Sequence, residues 1–200
     1  MTPDKKIWLE IGTGNGDFLF SLAAQNPAVT FVGLEIRNRR FNNMIRRREK
    51  LNLNNIILIQ GRGEVVLPAL FRDNSLEKIF ILFPDPWPKR RHAEHRIWNE
   101  KFFRTCWEKL KVNGELSLAT DDATYATTAQ KILDSHQAWK KCEEAGEVFL
   151  KTHYARKWKK LGRKLTAMQY IKGDWDTDRS EDAYSHKVFP DHRTQPSARE

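Results

Sequence analysis

Ile7-Trp-Leu-Glu-Ile-Gly-Thr-Gly-Asn-Gly16, followed at once by Asp17-Phe-Leu-Phe20, carries an apolar run into a glycine-rich turn and then into a helical pattern. The run Ile7–Ile11 has the length and composition of a buried strand, and Asp17–Gln25 sets Phe18, Leu19, Leu22 and Ala23 at helical spacing. Glycines between a strand and a helix permit a tight turn and a close approach of backbone to a ligand.

Two ligand classes compete for such a turn. A dinucleotide site wants its third glycine three residues after the second, so that helix and strand close around a pyrophosphate. Here the third glycine is Gly16, and Asp17 occupies the position that rule reserves. An acid suits a helix N-terminus, but it repels a pyrophosphate seated there. A ligand with an ammonium group and no phosphate meets no such repulsion. Glu10, in the last turn of the strand, adds a second carboxylate facing the same place, and Gly12 and Gly14 provide the close approach. Nineteen residues past Gly16, Glu35 ends a second apolar run and is placed to accept hydrogen bonds from ribose hydroxyls. Together these residues favour S-adenosylmethionine over NAD.

Outward from this unit, short apolar runs alternate with amphipathic stretches. Strands are expected at 30–34, Ile56–Gln60, 79–83 and 115–120; helices are expected at 37–51, 65–71, 99–110 and 123–135. Alternation with short connections predicts a mostly parallel sheet covered on both faces, with ligands outside the carboxyl ends of its strands. The pattern weakens after about residue 145. Segments 147–151 and 164–172 are expected to form a terminal antiparallel pair. Residues 174–200 are polar and Asp-rich without periodicity, and are expected to be a flexible tail on a domain spanning 1–173.

The fourth strand leads into Phe83-Pro-Asp-Pro-Trp-Pro-Lys-Arg-Arg-His92. Alternating Pro84, Pro86 and Pro88 fix φ and push the preceding residues toward extended geometry, making a loop stiff enough to aim Asp85. Lys89, Arg90, Arg91 and Arg96 are candidates for phosphate binding beside it. Trp87 is a candidate for stacking on a base. Asp121, after the fifth strand, is a neighbouring carboxylate.

Composition agrees with a polyanionic partner. The 200 residues carry a net charge of +9. Residues 174–200 contain four Lys/Arg and seven Asp/Glu, which leaves 31 against 19, or +12, on residues 1–173. Arg37, Arg39, Arg40, Arg46, Arg47 and Arg48 form a second basic set. Two cysteines make no disulfide framework, and Cys106 falls on the apolar face of its helix. His92 and His95 lie in a basic loop without nearby cysteines, so no metal site is expected. The polar start and the lack of a long apolar span predict a cytoplasmic protein.

Glu10-Ile-Gly-Thr-Gly-Asn-Gly16, Gly33-Leu-Glu35-Ile-Arg37, Asp73-Asn-Ser-Leu76, the proline–tryptophan stretch and Ala119-Thr-Asp121 together resemble the bacterial tRNA (guanine-N7-)-methyltransferase family over roughly residues 5–172. The resemblance implies an α/β Rossmann-like class I methyltransferase fold, with a mostly parallel seven-stranded sheet and helices on both faces. It also implies methyl transfer from S-adenosylmethionine to N7 of a guanosine in the tRNA variable loop, by a monomer or homodimer. Carried onto this chain, it makes Asp85 catalytic and cofactor-adjacent. Glu10, Gly12, Gly14, Glu35 and the position of Arg62 become cofactor contacts. Lys89, Asp121, Thr166 and Gln169 become substrate contacts. Arg62 stands where the family usually has an acid near the adenine, and Gln169 stands where a glutamate is expected. These departures keep a second reading open, an RNA-binding protein with a weakened cofactor site. Pro84-Asp-Pro-Trp87 also allows an amino-methyltransferase acting on an exocyclic base amine.

Overall fold

A computed structural model of the chain describes residues 5–86, 96–143, 155–156 and 160–173. Segment 147–151, the tail 174–200, and Trp87, Lys89, Arg90, Arg91, His92 and His95 lie outside the described residues.

Five strands alternate with five helices: β1 (Ile7–Ile11), α1 (Asp17–Gln25), β2 (Thr30–Glu35), α2 (Asn38–Leu51), β3 (Ile56–Gln60), α3 (Gly63–Leu70), β4 (Leu76–Leu82), α4 (Glu100–Lys109), β5 (Leu110–Thr120) and α5 (Ala123–Asp134). Two further strands follow, β6 (Trp139–Lys141) and β7 (Thr166–Lys172). All seven form one sheet in the order β3-β2-β1-β4-β5-β7-β6. β1 to β5 pair in parallel, while β7 runs antiparallel to both β5 and β6. β1 is flanked by β2 on one side and β4 on the other, so the chain reverses its direction of winding there, and a crevice opens at the carboxyl ends.

The two-residue strand period sorts side chains into two layers. Leu9, Ile11, Val32, Leu34, Ile79, Ile81, Leu116 and Leu118 join Leu67 of α3, Phe102, Phe103 and Cys106 of α4, and Leu133 of α5 in the larger core cluster. Phe31 and Ile56 face the other way, onto Leu19, Phe20 and Ala23 of α1 and Met44 of α2. Cys106 is fully buried as expected, and burial pushes its thiol pKa up.

Some expectations shift. β7 lies between two antiparallel neighbours, β5 and β6 (Trp139–Lys141), the latter paired through Trp139 and Lys172. Three residues are too few to show a period, which is why β6 is not legible in the sequence. β4 starts at Leu76 and β5 at Leu110, because these two residues pair across a register shift ahead of the regular ladder. α3 begins at Gly63, two residues before its first apolar side chain.

Gly33 controls how α1 seats on the sheet. A Cβ built there meets Leu19 Cδ2 at 2.6 Å and Thr13 Cγ2 at 2.9 Å. The helix and the glycine turn therefore lie closer to β2 than any side chain permits. Gly33→Val is expected to lower stability by about 1–3 kcal/mol through overpacking. Urea denaturation with an unchanged m-value measures it; a wild-type midpoint would contradict the close approach.

Candidate functional site

The turn between β1 and α1 is built by positive φ at Gly12 (78°), Gly14 (60°) and Gly16 (77°), conformations costly for a residue with a Cβ. β2 ties it down: the Gly12 and Thr13 amides donate to the Leu34 carbonyl at 2.9 and 3.0 Å. From α2, Arg47 donates to Asp17 Oδ1 at 2.6 Å and to the Asn15 carbonyl at 3.2 Å, with its guanidinium 4.8 Å above the Phe20 ring. Asp17 is therefore half of an ion pair, where the sequence suggested a charge offered to a ligand.

Beside this turn a cavity of about 480 Å³ opens at the carboxyl ends of β1, β2 and β4 and over the start of α3. Gly12, Gly14, Glu35, Arg62 and Asp85 line it, so five sequence-predicted residues share one space. A Cβ added at Gly12 has nothing within 4 Å, so a side chain there would occupy open space beside the turn.

Two carboxylates are buried beneath this surface, and their surroundings differ. Glu35 Oε2 accepts from the Gly14 amide and Oε1 from the Arg37 amide, both at 2.8 Å. Each oxygen keeps a further lone pair for a hydroxyl. Glu10 is 4% exposed and lies behind the cavity wall rather than in it. One of its oxygens accepts from the Leu19 amide in the first turn of α1; the other, Oε2, has no partner. Burial raises the Glu10 pKa to about 8, opposed by the Leu19 hydrogen bond and assisted by the negative charges of Asp17 and Glu35.

On the β4 side, Phe83 takes a left-handed backbone (φ 52°), although a residue before proline is expected to be extended. Its amide donates to the Ala119 carbonyl at 2.7 Å, which anchors the turn. The chain is thereby redirected so that Phe83, Pro84 and Asp85 all line the cavity. Asp85 is largely exposed at the rim, 3.7 Å from Arg37. Arg96 donates from Nε to the Pro86 carbonyl at 3.1 Å, so it braces this loop from behind.

Asp121, Thr166 and Gln169 do not line the cavity. Asp121 forms an ion pair with Arg163. Thr166 is paired with Thr120 at the carboxyl end of β5. Gln169 lies three residues further along β7, paired with Ser117, and donates to Glu115 Oε2 at 2.8 Å. It therefore sits away from the ligand edge, since each residue along a strand adds about 3.3 Å. Lys89, Arg90 and Arg91 lie outside the described residues. Sequence reasoning missed Arg40 and Ile97 as lining residues. Glu64, two residues past Arg62 in Gly61-Arg-Gly-Glu64, also lines the cavity, 3.2 Å from Arg62, and puts a carboxylate acceptor at the β3 end.

The sheet order, the antiparallel β7 and a cavity against the glycine turn define the class I methyltransferase fold. Superposition agrees: the 16S rRNA methyltransferase KamB matches with a TM-score of 0.63 at 16% identity, over 85% of this chain and 89% of that one. An rRNA methylase from Streptococcus thermophilus matches with a TM-score of 0.59 at 13% identity, over 86% and 89%. The chain belongs to the family described as "Putative methyltransferase", whose model matches residues 4–168. Among its relatives is the tRNA (guanine-N(7)-)-methyltransferase of Thermotoga maritima, 38% identical over 80% of this chain and 51% of that protein. The enzyme of the same name from Thermus thermophilus is 35% identical over 82% and 53%. That of Magnetococcus marinus is 32% identical over 84% and 69%. The chain spans about half the length of the first two of these relatives. No helix among the described residues is long and apolar enough to cross a membrane.

The raised Glu10 pKa predicts a pH signature. Its folded value of about 8 lies above the ordinary glutamate value of 4.5, so between these limits the native state holds a proton that the unfolded state releases. Stability is therefore lost as pH rises through 8. Glu10→Gln keeps an acceptor for the Leu19 amide and removes the charge. It is expected to raise the thermal midpoint at pH 9 and to leave it nearly unchanged at pH 4. A variant less stable than wild type at pH 9 would contradict burial as the dominant cause.

Proposed function

We propose that this chain is an S-adenosylmethionine-dependent tRNA (guanine-N7-)-methyltransferase of the cytoplasm, acting on a guanosine in the variable loop. The observation that carries the reading is a single cavity with a ribose-competent carboxylate, Glu35, on one wall and a solvent-facing carboxylate, Asp85, on the rim. The names of the relatives, matched over four-fifths of the chain, support the substrate.

The residues fit the cofactor. Gly12 and Gly14 supply the cradle, Glu35 the acceptor for ribose hydroxyls, and Glu64 an acceptor at the nucleobase end. Behind the glycine turn, the unpartnered Glu10 Oε2 would match an ammonium group on ionising. When bound, S-adenosylmethionine supplies an electrophilic methyl group on a positively charged sulfur.

The work left to the protein is positional. Guanine N7 carries an in-plane lone pair and needs no deprotonation, so what is required is a base held in line and at attack distance. The methylated base is cationic. Asp85 favours that charge as it develops, and the Phe83 turn holds the carboxylate at the rim. Its side chain is 69% exposed, so in water a 4 Å pair contributes only about 1 kcal/mol; at an effective dielectric of 20 the same pair reaches about 4 kcal/mol. The contribution of Asp85 thus grows when RNA covers the rim and excludes water.

Arg62 is the specific observation favouring the second reading, an RNA-binding protein with a weakened cofactor site: it lines the cavity with a donor-only group. Calorimetric titration of S-adenosylhomocysteine separates the two readings, since no heat at millimolar ligand would support binding without catalysis.

Incubation with unmodified tRNA and labelled cofactor, followed by nucleoside mass analysis, is expected to yield 7-methylguanosine. Asp85→Asn is expected to slow single-turnover methylation by about 10²-fold, the scale of losing one transition-state contact, with tRNA affinity nearly unchanged. Methylation at the normal rate would reduce Asp85 to a loop carboxylate and turn attention to Asp121.

A further inference from the structure

Helix α2 contains six arginine or lysine side chains and a single acid, Glu49, and the fold sends the basic ones to different places. At 100° per residue, Met44 marks the buried side. Arg48 reaches back to the Ile56 carbonyl at 3.3 Å, and Arg47 clamps the glycine turn. Arg40 lines the cavity together with Arg37, just before the helix. The remaining three, Arg39, Arg46 and Lys50, are exposed at spacings of seven and four residues. That spacing places all three within about 20° of one line on the side opposite Met44. Asn43 lies beside the line and accepts from Arg46 at 2.6 Å. Asn42 and Glu49, seven residues apart, share an exposed stripe about 60–80° to the side.

We infer that this outer ridge of α2 is a track for the ribose–phosphate backbone of the RNA substrate, running from the cavity mouth toward the amino-terminal ends of β2 and β3. The inference rests on the proposed function and specifies which surface, beyond the proline–tryptophan loop, holds the RNA. Three observations carry it. The ridge is continuous with the reaction site, since Arg37 and Arg40 at the amino end of α2 belong to the cavity wall. Its charge is of one sign over about 16 Å, the axial length of roughly five nucleotide steps in a duplex strand. The side chain nearest this line, Asn43, is a neutral hydrogen-bonding group that adds no opposing charge. An ordinary solvated helix face intersperses acids with bases at i, i+4 spacing. This ridge has none.

The test replaces Arg39, Arg46 and Lys50 together with glutamine and measures tRNA binding between 50 and 200 mM salt. The expected result is at least tenfold weaker binding at low salt. The log–log salt slope should flatten by about two to three, the counterion release of three lost contacts. Affinity for S-adenosylhomocysteine and the thermal midpoint should stay at wild-type values. If the triple variant loses stability, Arg39→Gln and Lys50→Gln singly are each expected to flatten the slope by about one. An unchanged affinity and slope in a folded variant would overturn the track, while wild-type protein still producing 7-methylguanosine would leave the proposed function standing. Wild-type protein that neither binds nor methylates tRNA would overturn both.

Discussion

The Glu35 carboxylate divides its two oxygens between the Gly14 amide of the glycine turn and the Arg37 amide at the start of α2. Both bonds are charge-assisted and largely shielded from water, which makes them among the stronger contacts available to a backbone amide. Their consequence is geometric. The turn after β1 and the turn after β2 are fastened to one side chain, so the two walls of the cavity keep a common reference. Gly33, two residues upstream, allows α1 to approach β2 closely enough for that arrangement to close.

Around this anchor, charge is distributed by role. Arg47 neutralises Asp17 and holds the turn from the α2 side, so no uncompensated acid remains at the exposed start of α1. Glu10 is different: it is buried and half satisfied, and burial, helped by the negative charges of Asp17 and Glu35, holds its pKa near 8. A carboxylate left in that condition costs stability, and such a cost is commonly found where a ligand completes the site. The strained Phe83 backbone on the opposite wall fits the same pattern, with a left-handed turn aiming Asp85 at the mouth.

Most of this was legible in the sequence because it was encoded locally. The short apolar runs of β1 to β5, the helical spacing of α1 and the glycine positions each depend on neighbours in the chain, and the acid at the end of β2 follows from strand length. What escaped depended on tertiary partners. Arg47 looked like one more cation in a basic run, and only its reach of thirty residues to Asp17 reveals a clamp. Arg96, expected beside the phosphates, also braces the Pro86 carbonyl through Nε. Gln169 was assigned to the substrate by resemblance alone; its position in β7 turns it to Glu115 instead. β6, at three residues, offered no period to read.

An ammonium group that reaches through the glycine turn to Glu10 would supply the cation that its buried, half-satisfied carboxylate lacks. Isothermal titration with S-adenosylmethionine at pH 7, repeated in buffers of different ionisation enthalpy, tests it most directly. At that pH Glu10 is mostly protonated, and pairing with the ammonium group ionises it. The account predicts release of nearly one proton per ligand bound, a release that disappears in Glu10→Gln. Binding with the same observed enthalpy in every buffer would contradict it.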